Sequence, residues 1–354
     1  MHSTLADLPE PTVPSTRDES LRKRVQAALD AKTKPQGSLG RLEALALQLA
    51  LILRSERPRL NDPQLVVFAA DHGIAAQGVS AYPQEVTRQM VLNFLAGGAA
   101  VSVLAQEHGL SLVVADCGVA AEFAPHRALV RLKVPGAERG TADASQGPAM
   151  TAAQCTAAIA NGRRLVAALP GNALLLGDMG IANTSAAALL MARLTGLPVS
   201  ECAGRGTGLD DAGLARKRAV LQRALEVNAA AASPLQALAA LGGLEIATMV
   251  GAVQQAAASG RVIVVDGFIT TAAVAVAAAL QPAVLEYCVF AHRSQETGHA
   301  RWLRDLGVQP LLDLDLRLGE GSGAALAWPL LKSACRVLVD MASFESAGVS
   351  RRRD

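Results

Sequence analysis

ALLLGDMGIANTS, residues 173–185, is an apolar run that stops at a glycine and an acid and then enters residues that favour a helix start. A short apolar run alone fits either a strand or a helix, but this one has counterparts. Leu65–Ala70 stops at Asp71-His72-Gly73, and Leu112–Ala115 stops at Asp116-Cys117-Gly118. Val262–Val265 stops at Asp266-Gly267, and Ala283–Phe290 ends near His292. Continuous apolar runs alternating with helical stretches read as strands buried on both faces. The expected fold class is therefore α/β, a parallel sheet with helices on both faces. Ligands of such sheets bind beyond the carboxyl ends of the strands, where these Asp and Gly residues fall.

The flanks read differently. Residues 1–17 are Pro-rich and expected to form a loose N-terminal arm. Helical patterns follow over Asp18–Lys32 and Leu39–Arg54, joined by KTKPQGS, whose Pro and Gly mark a turn. Leu330–Phe344 again has helical spacing and is expected to return onto those two helices. This divides the chain into a helical small-domain part over 18–60, an α/β nucleotide-binding catalytic domain over 61–328, and a returning helix within 329–354.

Composition limits the function classes. The 354 residues are 51% hydrophobic and 18% charged, which describes a globular chain. A net charge of +2 gives no electrostatic argument for nucleic acid or an anionic membrane. Ile269–Leu280 is apolar but too short to span a bilayer, and reads as a buried helix. The five cysteines are scattered without a CxxC pair, which fits reduced thiols in a cytoplasm. The N-terminus lacks the basic and apolar regions of a secretory signal, so a cytoplasmic location is expected.

Several stretches can carry chemistry. In the 173–185 turn, Gly177 and Gly180 permit close approach, while Asn183, Thr184 and Ser185 are placed to cap the next helix. Free N–H groups there, with the helix dipole, make a phosphate site. A second turn, Gly204-Arg205-Gly206-Thr207-Gly208, runs into LDDAGLARK, where Lys217 either folds back to a phosphate or is simply solvated. Neither turn completes GxGxxG or a P-loop. VIVVDGFITT, residues 262–271, has the form of a ribose-phosphate cradle, with Gly267 where pyrophosphate-using phosphoribosyltransferases carry a second acid. LLDLDLRLGEGSGAA, residues 311–325, sets Glu320 among Gly319, Gly321 and Gly323, with Ser322 placed to cap a helix. Glu320 is then a general base in a half-desolvated pocket or an exposed residue of a turn. Asp71-His72 with His292, His299, Asp313 and Asp315 lack the spacing of a metal motif, and no metal site is expected. Ser80 and Tyr82 either line an aromatic-ligand pocket or belong to a surface loop. Ser294 has histidines nearby but no GxSxG turn.

The order of these segments is more informative than any one of them. KPQGSLGRLE, ADHGIAAQGVSAYPQEVT, GPAMT, GDMGIANTSAAALL, GRGTGLDDAGL, VDGFITTAA, HRSQETGH, LDLRLGEGSGAALA and MASFESAGVS resemble, in sequence order from about Lys34 to Ser350, the nicotinate-nucleotide–dimethylbenzimidazole phosphoribosyltransferase family. The resemblance implies a general base at Glu320. It implies a second carboxylate at Asp178, where the family carries Glu, and a departure at Ala182, where the family carries Gly. It implies nucleotide and phosphate contacts from Gly177, Gly180, Asn183, Thr184, Gly206, Thr207, Gly208, Lys217, Asp266 and Gly267. Ser80, Tyr82, Gln89 and Leu318 match the base-binding wall. The implied substrates are nicotinate mononucleotide and a benzimidazole-type base, with no cofactor and a homodimeric assembly. Two alternatives stay open: a nucleotide-binding regulator of the same fold that has lost catalysis, and a nicotinamide-dependent dehydrogenase, against which the missing GxGxxG counts.

Overall fold

The structure is a computed structural model that describes residues 10–206 and 208–350. Six strands form one sheet: β1 (Gln64–Ala70), β2 (Ser111–Gly118), β3 (Leu129–Arg131), β4 (Ala173–Met179), β5 (Val262–Val265) and β6 (Cys288–Phe290). Their order is β3-β2-β1-β4-β5-β6, and every neighbouring pair is parallel. The central strands β1 and β4 are buried at every residue, as a sheet covered on both faces requires. The order reverses between β1 and β4, so a crevice opens beyond their carboxyl ends. The expected fold class is the one observed.

The differences from the sequence reading have local causes. Ala283–Phe290 is not one strand: Pro282–Tyr287 forms a 3-10 turn, started by a proline at its first position, and only Cys288–Phe290 pairs with β5. The edge strand β3 is three residues long, too short to show alternation in the sequence. The C-terminal helix runs Ser322–Asp340 rather than Leu330–Phe344, and Pro329 lies inside it. It therefore starts in the glycine loop beside Glu320 and ends against the terminal helices. Its Leu331, Ala334, Cys335 and Leu338 are buried, and it packs beside Arg41–Ile52 and Glu19–Asp30. Asp18 caps the first of the terminal helices by accepting the Leu21 N–H at 2.9 Å.

Residues 10–17 are anchored rather than loose. Glu286 accepts the Thr16 N–H at 2.6 Å, the Tyr287 hydroxyl donates to the Pro14 carbonyl at 2.9 Å, and Val13 is buried. Phe268–Leu280 is a buried helix, as expected. The stretch Glu85–His108 is apolar and long enough to cross a bilayer by length and composition. It is broken after Ala96 into helices of 12 and 9 residues, however, each short of the about 20 that a span needs.

Candidate active site

Loops leaving β4, β5 and β6 meet the glycine loop 319–321 around a cavity of about 370 Å³. Its walls are largely apolar. Val86 and Met90, one turn apart on helix Glu85–Ala96, face it together with Tyr82, Ile181, Phe268, Ile269 and Leu318. Phe268 is held edge-on by Trp302 at 5.7 Å between ring centroids. The polar lining is Asp178 at the end of β4, Asn183 and Thr184 after it, His292, Ser294 and Glu296 after β6, and Arg317 and Glu320 from the segment 317–320. An apolar cavity bordered by a few polar groups suits an aromatic ring carrying a polar substituent.

Glu320 is at the centre of this arrangement. Gly319, Glu320 and Gly321 all take left-handed backbone, with φ of +77°, +66° and +88°. For Glu320 this conformation costs about 1–2 kcal/mol, and it turns the side chain inward. The residue is 6% exposed, so it is not the solvated turn residue that its glycine neighbours also allowed. Burial, helped by the negative charge of Asp266, pushes its carboxyl up to about 7. A carboxylate with that affinity can take a proton from a ligand at neutral pH and release it to water afterwards. Gly323 is helical. A side chain there would meet His292 Nε2 at 2.7 Å and Asp266 Oδ1 at 2.8 Å.

Two capping expectations are corrected. Ser322 does not cap the helix it opens: Gly321 occupies the cap position, and Asp266 accepts the Gly321 and Ala324 N–H groups at 3.1 and 2.9 Å. Asn183, Thr184 and Ser185 do not cap helix Asn183–Thr195 either. Its cap position is Ala182, in left-handed backbone at φ +77°, where no side chain reaches back. Asn183 instead donates to Asp178 Oδ2 at 2.9 Å. Burial, then the charge of Asp266, pushes the Asp178 carboxyl well above its ordinary range, and Glu245 and Glu320 add to this against the Asn183 hydrogen bond. Its Oδ1 is buried without a hydrogen-bond partner. Positive charge placed beside it would favour its ionised form.

Lys217 is buried, 1% exposed, so the solvated alternative is excluded. Its ammonium donates to Thr184 Oγ1 at 2.9 Å. A side chain on Gly206 would lie 3.3 Å from Nζ and 3.1 Å from Thr184 Oγ1, so the glycine turn and the helix start come together over one cation. Burial lowers the ammonium pKa to about 8, opposed by Glu296. Thr207, expected in the same turn, lies outside the described residues.

Not every expected residue lines the cavity. Tyr82, Asp178, Gly180, Asn183, Thr184, Gly206, Gly267, Leu318 and Glu320 do. Gly177, Lys217 and Asp266 are outside the lining, each against a residue that lines it: Glu320, Thr184 and His292 respectively. Gly208, Ser80 and Gln89 are not part of the lining, and Gln89 is exposed. The sequence reading missed Val86, Met90, Ile181, Phe268 and Ile269, which in a sequence look like any core residue, and Glu296 and Arg317, which sit beside motif residues. Asp71 and His72 belong to the interior: Asp71 accepts the Ala120 N–H at 2.8 Å, and His72 Nε2 pairs with Glu245 at 2.7 Å. Ser294 turns its backbone N–H, not its hydroxyl, to His299 Nδ1 at 2.9 Å. Asp313 pairs with Arg293 at the surface. Among the described residues no three His, Cys, Asp or Glu side chains converge as a metal-ligand set.

Comparison with known proteins agrees with this geometry. A family model described as phosphoribosyltransferase matches residues 15–349. A nicotinate-nucleotide–dimethylbenzimidazole phosphoribosyltransferase of Variovorax paradoxus is 65% identical over 342 residues, covering 97% of each chain. That of Cupriavidus necator is 59% identical, covering 94% of this chain and 96% of its own. A crystal structure of the Thermus thermophilus enzyme superposes with a TM-score of 0.89 at 43% identity, covering 95% of this chain and all of the other. The chain belongs to the nicotinate-nucleotide–dimethylbenzimidazole phosphoribosyltransferase family.

Proposed function

We propose that the chain transfers the phosphoribosyl group of nicotinate mononucleotide to 5,6-dimethylbenzimidazole. The products are α-ribazole 5′-phosphate and nicotinate, and the step belongs to synthesis of the cobalamin lower ligand. The observation that carries the reading is Glu320, a buried carboxylate on left-handed backbone in the wall of an apolar cavity, with its pKa raised to about 7.

The chemistry follows from the substrates. The donor holds its base as a pyridinium, so nicotinate leaves with the bonding pair on the ring nitrogen and needs no proton there. The acceptor is an aromatic base whose N–H must be removed. As one benzimidazole nitrogen attacks the anomeric carbon, Glu320 takes the proton from the other, which contributes about 10²–10⁴-fold. Val86, Met90, Phe268 and Ile269 exclude water from the ring. Asp178 is placed to face the positive charge developing on the ribose, so its stabilisation is strongest in the transition state. Lys217, Thr184 and the Gly206 turn hold the phosphate. Attack on the face opposite the departing nicotinate inverts β to α.

The enzyme is read as cytoplasmic, in line with five free cysteines, all buried. It is read as a homodimer, supported by Leu92 and Val103, exposed on adjacent helices. Purified protein given nicotinate mononucleotide and a mixture of benzimidazoles should release nicotinate and form an α-N-glycosidic nucleotide. Absence of nicotinate release with every base would reject the reading.

A further inference from the structure

Asp266 follows β5 and is buried, 1% exposed, with neither oxygen in the cavity wall. Oδ2 accepts the Gly321 N–H at 3.1 Å and Oδ1 accepts the Ala324 N–H at 2.9 Å. Both donors belong to the start of helix Ser322–Asp340, whose own cap position is a glycine with nothing to offer. The cap therefore comes from a different strand. Gly321 directly follows Glu320, so one of these two bonds fixes the peptide next to the base, in the middle of three successive left-handed residues. Backbone of that kind persists only where its surroundings enforce it.

The surroundings of the two carboxyl groups are also charged. Asp178 faces them from the end of β4, and His292 from the segment after β6, its Nε2 3.7 Å from Asp266 Oδ1. Arg317 belongs to the glycine loop itself, and the His72–Glu245 pair lies behind Asp178. Burial raises the Asp266 pKa, while His292 beside it and the backbone N–H donors at both oxygens act the other way, toward the ionised form.

The geometry points to Asp266 as a positioning residue that caps the base loop from across the sheet, aims Glu320 into the cavity, and keeps a second negative charge beside it. This rests on Glu320 being the base. It also differs from a ribose-contact role for Asp266, because both oxygens are already engaged away from the cavity.

The test compares wild type with Asp266→Asn, Asp266→Glu and Glu320→Gln, using kcat and KM for each substrate across pH, with circular dichroism to follow folding. Asp266→Asn removes the charge, so the acid limb of kcat should move to lower pH by about one unit. Its plateau should fall about 10–100-fold, because the loop is no longer held at both N–H groups. Asp266→Glu keeps the charge but not the reach: the limb should stay in place while the plateau drops. KM for the mononucleotide should hardly change in either. A raised mononucleotide KM with unchanged kcat would overturn the proposal in favour of a ribose contact. An unmoved limb and plateau in Asp266→Asn would overturn it outright. Should Asp266→Asn not fold, wild-type kcat in Asp266→Glu would overturn it. If Glu320→Gln alone retains full turnover, the failure belongs to the assignment of the base.

Discussion

Gly177 and Glu320 touch through their backbones: a methyl group on Gly177 would lie 2.7 Å from the Glu320 carbonyl carbon and 2.9 Å from the Gly321 nitrogen. The loop that carries Glu320 therefore lies directly on strand β4, with no side chain between them. Gly177→Ala should push the loop away from the cavity. The expected result is folded protein with kcat lowered about 100-fold, the scale of a displacement near 1 Å at a reacting group. Wild-type turnover in this variant would show that the loop position is not critical.

Ala182 bears on stability. It caps helix Asn183–Thr195 at φ +77°, a backbone region that costs a non-glycine residue about 1–2 kcal/mol. Ala182→Gly removes that strain but adds about 0.4–1 kcal/mol of unfolded-state freedom. Denaturant unfolding should show the variant equal to wild type or more stable by up to about 1.6 kcal/mol. A clear loss of stability would mean that the methyl group packs better than its backbone is strained.

Lys217 should govern the mononucleotide. With Lys217 proposed to hold the phosphate, Lys217→Ala should lose a charge-assisted contact worth about 1.5–3 kcal/mol, so KM for the mononucleotide should rise by roughly 10–100-fold, with little change for the base. The sign of the pH effect follows from a pKa lowered to about 8 in the empty site. The ammonium is charged below that pH and neutral above it. Mononucleotide KM should therefore climb as pH rises through about 8 in wild type and stay flat there in Lys217→Ala. Equal effects on both substrates would place the phosphate elsewhere.

What could be read in the sequence divides along physical lines. Strands β1, β2, β4 and β5 were legible because each is an apolar run closed by an acid or glycine at its carboxyl end. The glycines around Glu320 were legible as a loop near a ligand. The partner that holds that loop was not: Asp266 caps it from 55 positions away, and no local pattern reports a cap from another strand. Ser322 looked like the cap because capping is usually local. Lys217 was ambiguous for a related reason. Its burial depends on the Gly206 turn and Thr184, which only the fold brings to it. Of the apolar wall only Tyr82 and Leu318 were anticipated; Val86, Met90, Phe268 and Ile269 carry no signature that separates a ligand wall from a core.

Glu320 is the group proposed to take the proton from the incoming base. Glu320→Gln keeps the shape and cannot accept that proton. With folding checked by circular dichroism, kcat is measured for wild type and variant from pH 5 to 9, with benzimidazoles of graded N–H acidity. Wild type should gain activity as pH rises through about 7, where Glu320 ionises. The variant should lose about 10²–10⁴-fold, lack that limb, and suffer least with the most acidic base. A folded Glu320→Gln enzyme with near wild-type kcat and the same limb near pH 7 would contradict the assignment.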